Sequence, residues 1–131
     1  MSIFLILLAA GESKRLKSSV PKPYITVNNK KLLEHAINSF RDYRSIKKTV
    51  IVYNKKHKKY LNKLNPKNTL KIAGGKTRQE STFKALKKIK KMNCKKVLIH
   101  DAARPFPSKK IINEIIKKNT KTNAKSITNR V

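Results

Sequence analysis

The residues from Ile3 to Ala10 are all apolar, without the alternation of a strand that has one wet face. Such a run predicts a strand over 3–8 covered on both faces, as inside a parallel sheet. It is far too short to cross a bilayer, and no basic segment stands before it, as a secretory signal would need. After a polar stretch over 9–22, closed by Pro21 and Pro23, the period changes. Leu32, Leu33, Ala36, Ile37 and Phe40 recur at helical spacing and predict a helix over 31–43. Thr49, Val50, Ile51, Val52 and Tyr53 predict a short strand. A basic helix is expected over 55–64, broken by Asn65 and Pro66, and a weak strand over 70–73 ends at Gly74 and Gly75. Thr77, with Glu80 three residues later, has the form of a capping box. Phe83, Leu86 and Ile89 supply the apolar face of the helix it starts. Residues 96–100 read as another buried strand and 101–107 as a loop. Ser108 caps a last helix whose face is Ile111, Ile112, Ile115 and Ile116.

Strands thus alternate with helices four times, the pattern of an α/β parallel sheet with right-handed crossovers. Ligands of such sheets bind beyond the carboxyl ends of the strands. The segments that follow the first, third and fourth predicted strands should therefore converge on one edge.

Composition sharpens that expectation. A chain of 131 residues suits one domain. The single cysteine, Cys94, has no partner for a disulfide or a metal pair, and a reduced thiol implies a cytoplasmic location. The net charge of +28 invites a nucleic-acid reading. However, the cations are nearly all lysine and spread along the whole chain, and aromatics make up only 6% of it. A nucleic-acid surface would cluster arginine with stacking aromatics. Abundant Lys, Asn and Ile are the residues of A/T-rich codons and point to compositional drift. The exceptions are then informative. The three glycines are Gly11, Gly74 and Gly75; the six acidic residues include Glu12 and Asp101; the six arginines include Arg15, Arg78 and Arg104.

These rare residues fall largely in three segments. The first runs Leu8-Ala9-Ala10-Gly11-Glu12-Ser13-Lys14-Arg15 and on to Pro21-Lys22-Pro23-Tyr24. Small residues after a strand let backbone N–H groups approach an anion, with Arg15 and Lys22 adding positive charge. It is neither a P-loop nor a dinucleotide fingerprint; a plain turn with solvated cations is its competing reading. The second, Gly74-Gly75-Lys76-Thr77-Arg78-Gln79-Glu80-Ser81, leads a glycine pair into a helix N-terminus. Arg78 and Ser81 share a helix face; an ordinary glycine turn and cap is the alternative. The third is His100-Asp101-Ala102-Ala103-Arg104-Pro105-Phe106. Its Asp101 is placed to hold a metal or a ribose, or merely to form a turn with Arg104. His100 reads as a packed residue rather than a ligand.

Together, in order and at family-like spacing, the three segments resemble the 2-C-methyl-D-erythritol 4-phosphate cytidylyltransferase family. That family carries A-A-G-x-G/S-x-R with P-K-x-[YF], then G-G-x-x-R-x-x-S, then H-D-A-A-R-P. The resemblance extends from Ile3 to about Ile116. It implies a three-layer, Rossmann-like parallel sheet of the nucleotidyltransferase type. It also implies transfer of CMP from CTP to the alcohol phosphate, with release of pyrophosphate and with Mg²⁺. On the matching positions, Arg15 and Lys22 are the catalytic cations. Ala9, Ala10, Gly11 and Glu12 form the CTP cradle, Gly74, Gly75, Lys76 and Ser81 the cytosine reader braced by Arg78, and Asp101 and Ala102 the ribose and metal side. The sister ribitol 5-phosphate cytidylyltransferases commonly carry H-D-S-V-R-P, so Ala102 and Ala103 favour the erythritol enzyme.

The family's chains are longer. A further strand, a P-V-x-D-T-like segment and a dimerising arm are expected after the last helix, and 124–131 match none of them. The expectation is one CTP-binding domain over 1–131, incomplete at its C-terminus, with the family's homodimer in doubt and no specific nucleic-acid or membrane partner. An inactive or nucleic-acid-binding basic fragment is the remaining alternative.

Overall fold

The computed structural model describes residues 2–11, 20–104 and 108–120. Its centre is β1 (Ile3–Ala9), every residue of which is buried. The reason is topological. β1 pairs in parallel with β4 (Ile46–Tyr53) on one edge and with β6 (Lys96–Asp101) on the other. Outside β4 lies β5 (Thr69–Ala73), giving the order β5-β4-β1-β6. The chain therefore steps outward twice from β1 and then returns to its other side. With right-handed crossovers, that reversal puts the returning helix on the opposite face from the earlier ones.

The side chains follow. Ile3, Leu5 and Leu7 pack with Leu33, Ala36 and Phe40 of α1 (Leu32–Phe40), with Leu61 of α2 (Lys58–Leu61) and with Ile112 of α4 (Lys109–Thr120). Phe4, Ile6 and Leu8 pack on the other face with Ala85 and Ile89 of α3 (Arg78–Ile89). The molecule is the expected three-layer α/β sheet. No helix among the described residues is long and apolar enough to cross a membrane.

Local departures have physical causes. Residues 26–31 form a hairpin of β2 (Thr26–Val27) and β3 (Lys30–Lys31), which the hydrophobic pattern does not announce. Its turn places Asn28 and Asn29 at φ 52° and 68°, the paired left-handed geometry of a two-residue hairpin loop. His35 ties the hairpin to α1 by donating from Nε2 to the Val27 carbonyl at 2.6 Å. The basic helix expected over 55–64 shrinks to a 3₁₀ turn and the single turn of α2. Lysines three and four apart repel there, and so short a helix cannot offset its nucleation cost. Lys71 caps its end, donating to the Leu64 carbonyl at 2.6 Å.

The face of α3 also differs from expectation. Ser81, Ala85 and Ile89 are its buried stripe, with Leu86 packed alongside, whereas Phe83 is 63% exposed. The four-residue ridge that meets the sheet starts at a serine, which a count of apolar residues passes over. On α4, Ile112 is buried but Ile111 is exposed. The outer surfaces of these two helices carry Lys84, Lys87, Lys88, Lys109, Lys110 and Lys117, all exposed.

Tyr24 anchors the turn that follows Pro21. It is buried, stacked on Tyr60 with centroids 5.3 Å apart, and edge-on to His57. Among the described residues its buried hydroxyl has no hydrogen-bond partner. Burial, and secondarily the neighbouring Tyr53, push its pKa up from 10.0 to about 12. The folded state therefore holds the proton longer than the unfolded chain. This contribution is fully present below about pH 10 and is lost as pH rises through about 12. Tyr24→Phe removes an unsatisfied group and keeps the stack. It should leave stability at pH 7 unchanged or raise it by up to about 1 kcal/mol, and retain more of that stability at pH 11 than the unaltered chain. Urea denaturation at both pH values checks this.

Candidate functional site

The carboxyl ends of β1 and β6 lie side by side where the strand order reverses, the place where sheets of this kind leave a crevice. A cavity of about 160 Å³ lies there, on the face covered by α3. Leu8, Ala10 and Gly11 line it from the end of β1, Asp101 from the end of β6, and Gly75, Lys76, Thr77, Arg78 and Ser81 from the turn into α3. The three segments singled out in the sequence thus meet at one place.

Backbone stitches hold the rims. The Ala102 N–H donates to the Leu8 carbonyl at 2.9 Å, fastening β6 to β1 past the end of the ladder. Asn54, just after β4, donates from Nδ2 to the Ala10 carbonyl at 3.2 Å. The Gly74 N–H donates to the Tyr53 carbonyl at 2.7 Å. Neither Gly74 nor Gly75 has a positive φ; what they supply is space. A β-carbon on Gly74 would stand 2.6 Å from Cβ of Ala10 and 2.7 Å from Oγ of Ser81. The glycine lets the β5 end, the β1 end and the first turn of α3 touch.

The turn into α3 is closed by its own side chains. Thr77 Oγ1 accepts from the Glu80 N–H at 3.0 Å. Glu80 Oε2 reaches back to the Lys76 N–H at 3.1 Å, one residue further than a capping box requires. Ser81 is 3% exposed and its Oγ accepts from the Gly75 N–H at 3.0 Å. Its hydroxyl hydrogen is taken by no described residue, and Ser81 lines the cavity. Across the cavity, Arg78 Nη1 stands 3.8 Å from Asp101 Oδ2. Both side chains are more than a third exposed or nearly so, and such a pair contributes little stability. Its effect is to set two opposite charges on facing walls.

Other expected residues take different places. Ala9 points to the α1 face and is buried in that core; Ala102 is buried in the same core with its N–H spent on Leu8. Ala102 therefore bears on strand packing, and its identity alone does not read an acceptor. Lys22 is exposed on a 3₁₀ turn and does not line the cavity. Arg15 and Glu12 lie outside the described residues. His100 is a structural residue as anticipated, buried, with Nε2 donating to the Arg104 carbonyl at 3.0 Å and its ring 5.4 Å from Phe40. Sequence reasoning missed Leu8 as a floor, Asn54 as a tie and Glu80 as more than a cap. Only the spacing of Thr77 and Glu80 hinted at the last.

A larger groove, about 610 Å³, lies at the opposite edge of the sheet between α1 and the α2–β5 connection. Four of its twelve lining residues are Lys or Arg, close to the chain's own share of 34 in 131, so it gathers no special chemistry.

The chain matches, over residues 3–129, the family model described as IspD: 2-C-methyl-D-erythritol 4-phosphate cytidylyltransferase. It is 50% identical over 116 residues to a bifunctional enzyme IspD/IspF of Pelagibacter ubique, covering 88% of this chain and 31% of that one. It is 42% identical over 118 residues to a 2-C-methyl-D-erythritol 4-phosphate cytidylyltransferase of Clostridioides difficile, covering 86% of this chain and 49% of the relative. Among solved structures, the bifunctional IspDF of Campylobacter jejuni superposes with a TM-score of 0.78 at 31% identity, over 92% of this chain and 31% of that one. The chain spans about half the length of its single-function relatives, 49% and 50% in two cases, and 31% of the bifunctional enzyme.

Gly74→Ala should lower stability by about 1–3 kcal/mol, because the added methyl meets packed atoms on two sides. Gly11→Ala, with no described atom within 4 Å of the new methyl, should change it by less than about 0.5 kcal/mol. Urea denaturation of the two variants side by side checks the contrast.

Proposed function

The chain belongs to the 2-C-methyl-D-erythritol 4-phosphate cytidylyltransferase family, and we propose that it transfers CMP from CTP to 2-C-methyl-D-erythritol 4-phosphate with release of pyrophosphate. One observation carries the reading: three segments distant in sequence line a single cavity where the strand order reverses. The chemistry is a displacement at phosphorus. An oxygen of the acceptor phosphate bonds to the α-phosphorus of CTP as the bond from that phosphorus to the α,β-bridging oxygen breaks. Pyrophosphate leaves with the electron pair. No group of the protein needs to become covalently attached, so its work is positioning and charge stabilisation.

The charge problem is severe. Two like unit charges ~4 Å apart repel by about 4 kcal/mol at an effective dielectric near 20, and a triphosphate meeting a phosphate multiplies that. Arg15 and Lys22, on the segment after β1, are assigned to the reacting phosphates. Ala9, Ala10, Gly11 and Glu12 supply the backbone cradle on the same side.

The electrostatics of the cavity support this orientation of CTP. A helix N-terminus ordinarily attracts phosphate. At α3 that place is filled by Glu80 and Thr77, so the base, not the phosphates, belongs against Gly75, Lys76 and Ser81. Ser81 then offers its hydroxyl hydrogen to a ring acceptor, with Gly74 holding the packing beneath and Arg78 bracing the wall. Asp101 belongs to the ribose side, with Ala102 packed behind it and tying β6 to β1.

Magnesium fits as a companion of the nucleotide. No group of three His, Cys, Asp or Glu side chains among the described residues could enclose a metal. Asp101 offers one carboxylate at the cavity, which suits a cation held mainly by phosphates and water. Its chemistry there would be neutralisation of phosphate charge. The same reading includes a homodimer and a cytoplasmic location.

The test is pyrophosphate release by the purified chain with Mg²⁺ and CTP, with methylerythritol phosphate and ribitol phosphate in parallel. Release is expected with the first acceptor, falling roughly 10²–10³-fold in Lys22→Ala or Arg15→Ala. Loss of CTP binding altogether would remove the reading; release with ribitol phosphate instead would replace the acceptor.

A further inference from the structure

We propose that Glu80 is a positioning residue for the base-binding wall of the cavity, a role that rests on the nucleotide reading above. The wall is the turn of Gly75 and Lys76, which must leave β5 and enter α3 within a few residues. Each N–H of that pair is held from α3: Gly75's by Ser81 Oγ at 3.0 Å and Lys76's by Glu80 Oε2 at 3.1 Å. Glu80 is itself fixed, since its own N–H is bound by Thr77 Oγ1 at 3.0 Å.

Packing gives an independent second observation. A β-carbon on residue 75 would collide with Cβ, Cγ and Cδ of Glu80. The glycine therefore lies directly on the Glu80 stem, and the turn is seated on that side chain from beneath. Glu80 does not line the cavity, although Gly75, Lys76 and Ser81 do. It acts on a ligand only through them. A simple cap would contribute stability to α3 and nothing else. A seat for the wall should govern how well the base fits while leaving the phosphate end of the ligand untouched.

That difference is measurable on the full chain by calorimetry at fixed salt, using CTP and inorganic triphosphate as probes. Glu80→Ala should weaken CTP binding roughly tenfold, the effect of losing one charge-assisted hydrogen bond, with triphosphate binding within about twofold. Glu80→Gln keeps an acceptor oxygen and should restore CTP binding to within about threefold. Unchanged CTP affinity in Glu80→Ala, parallel loss of CTP and triphosphate, or no rescue by glutamine would overturn the proposal. A measurement on the unaltered chain guards against misfolding of a variant. The Lys76 amide should exchange its hydrogen well below the open-chain rate, and exchange at that rate would dispose of the clamp. If instead the amide is protected but CTP does not bind, the nucleotide reading is what fails, and the base role falls with it.

Discussion

The backbone of β1 is hydrogen-bonded along both edges and its side chains are sealed on both faces. Of its residues only Leu8, near the carboxyl end, lines the cavity. Any chemistry is pushed to its ends, and the strand order decides which end. Because the chain steps from β1 to β4 and β5 and only then returns to β6, α3 crosses on the face opposite α1, and the turn that leads into it walls the crevice beyond the ends of β1 and β6. The cavity follows from a connectivity that was set by burying one uninterrupted apolar run.

A crevice of that kind keeps its shape only if its rims are tied. The ties here are short and mostly backbone: Ala102 to Leu8, Asn54 to Ala10, Gly74 to Tyr53. They extend the sheet's hydrogen bonding by a residue or two beyond the last regular pair. Close approach then does the rest. In a chain with three glycines, two stand side by side where three elements touch, and neither is there for a left-handed backbone. At Gly74 any β-carbon would part the β1 end from α3.

Much of this was legible in the residues. The unbroken run from Ile3 correctly implied a strand covered on both faces, and the alternation of periods implied the parallel sheet. The placement of Gly11, Gly74, Gly75, Arg78 and Asp101 after strands implied their convergence, and all but Gly74 line the cavity. What failed did so where a local pattern met tertiary demands. Phe83 looks like a core residue by type and spacing, yet the ridge facing the sheet is Ser81, Ala85 and Ile89, and it begins with a polar residue kept for its small size and its bond to Gly75. The hairpin at Asn28 and Asn29 was signalled only by turn chemistry, since its two-residue strands are too short for any period to register. Glu80 was visible as a cap, but its reach to Lys76 depends on how β5 delivers the turn, which no local window contains.

The lysines on the outer faces of α3 and α4 bear on how fast a ligand arrives. A body of +28 with no broad acidic surface draws a polyanion from every direction, so encounter is set by the long-range field as much as by the shape of the crevice. That field is screened within about 8 Å at physiological ionic strength. Capture would therefore quicken in dilute buffer and slow in salt, while the lifetime of a ligand once seated, governed by close contacts in the crevice, would change far less. The basic surface would then act as a collector for the pocket.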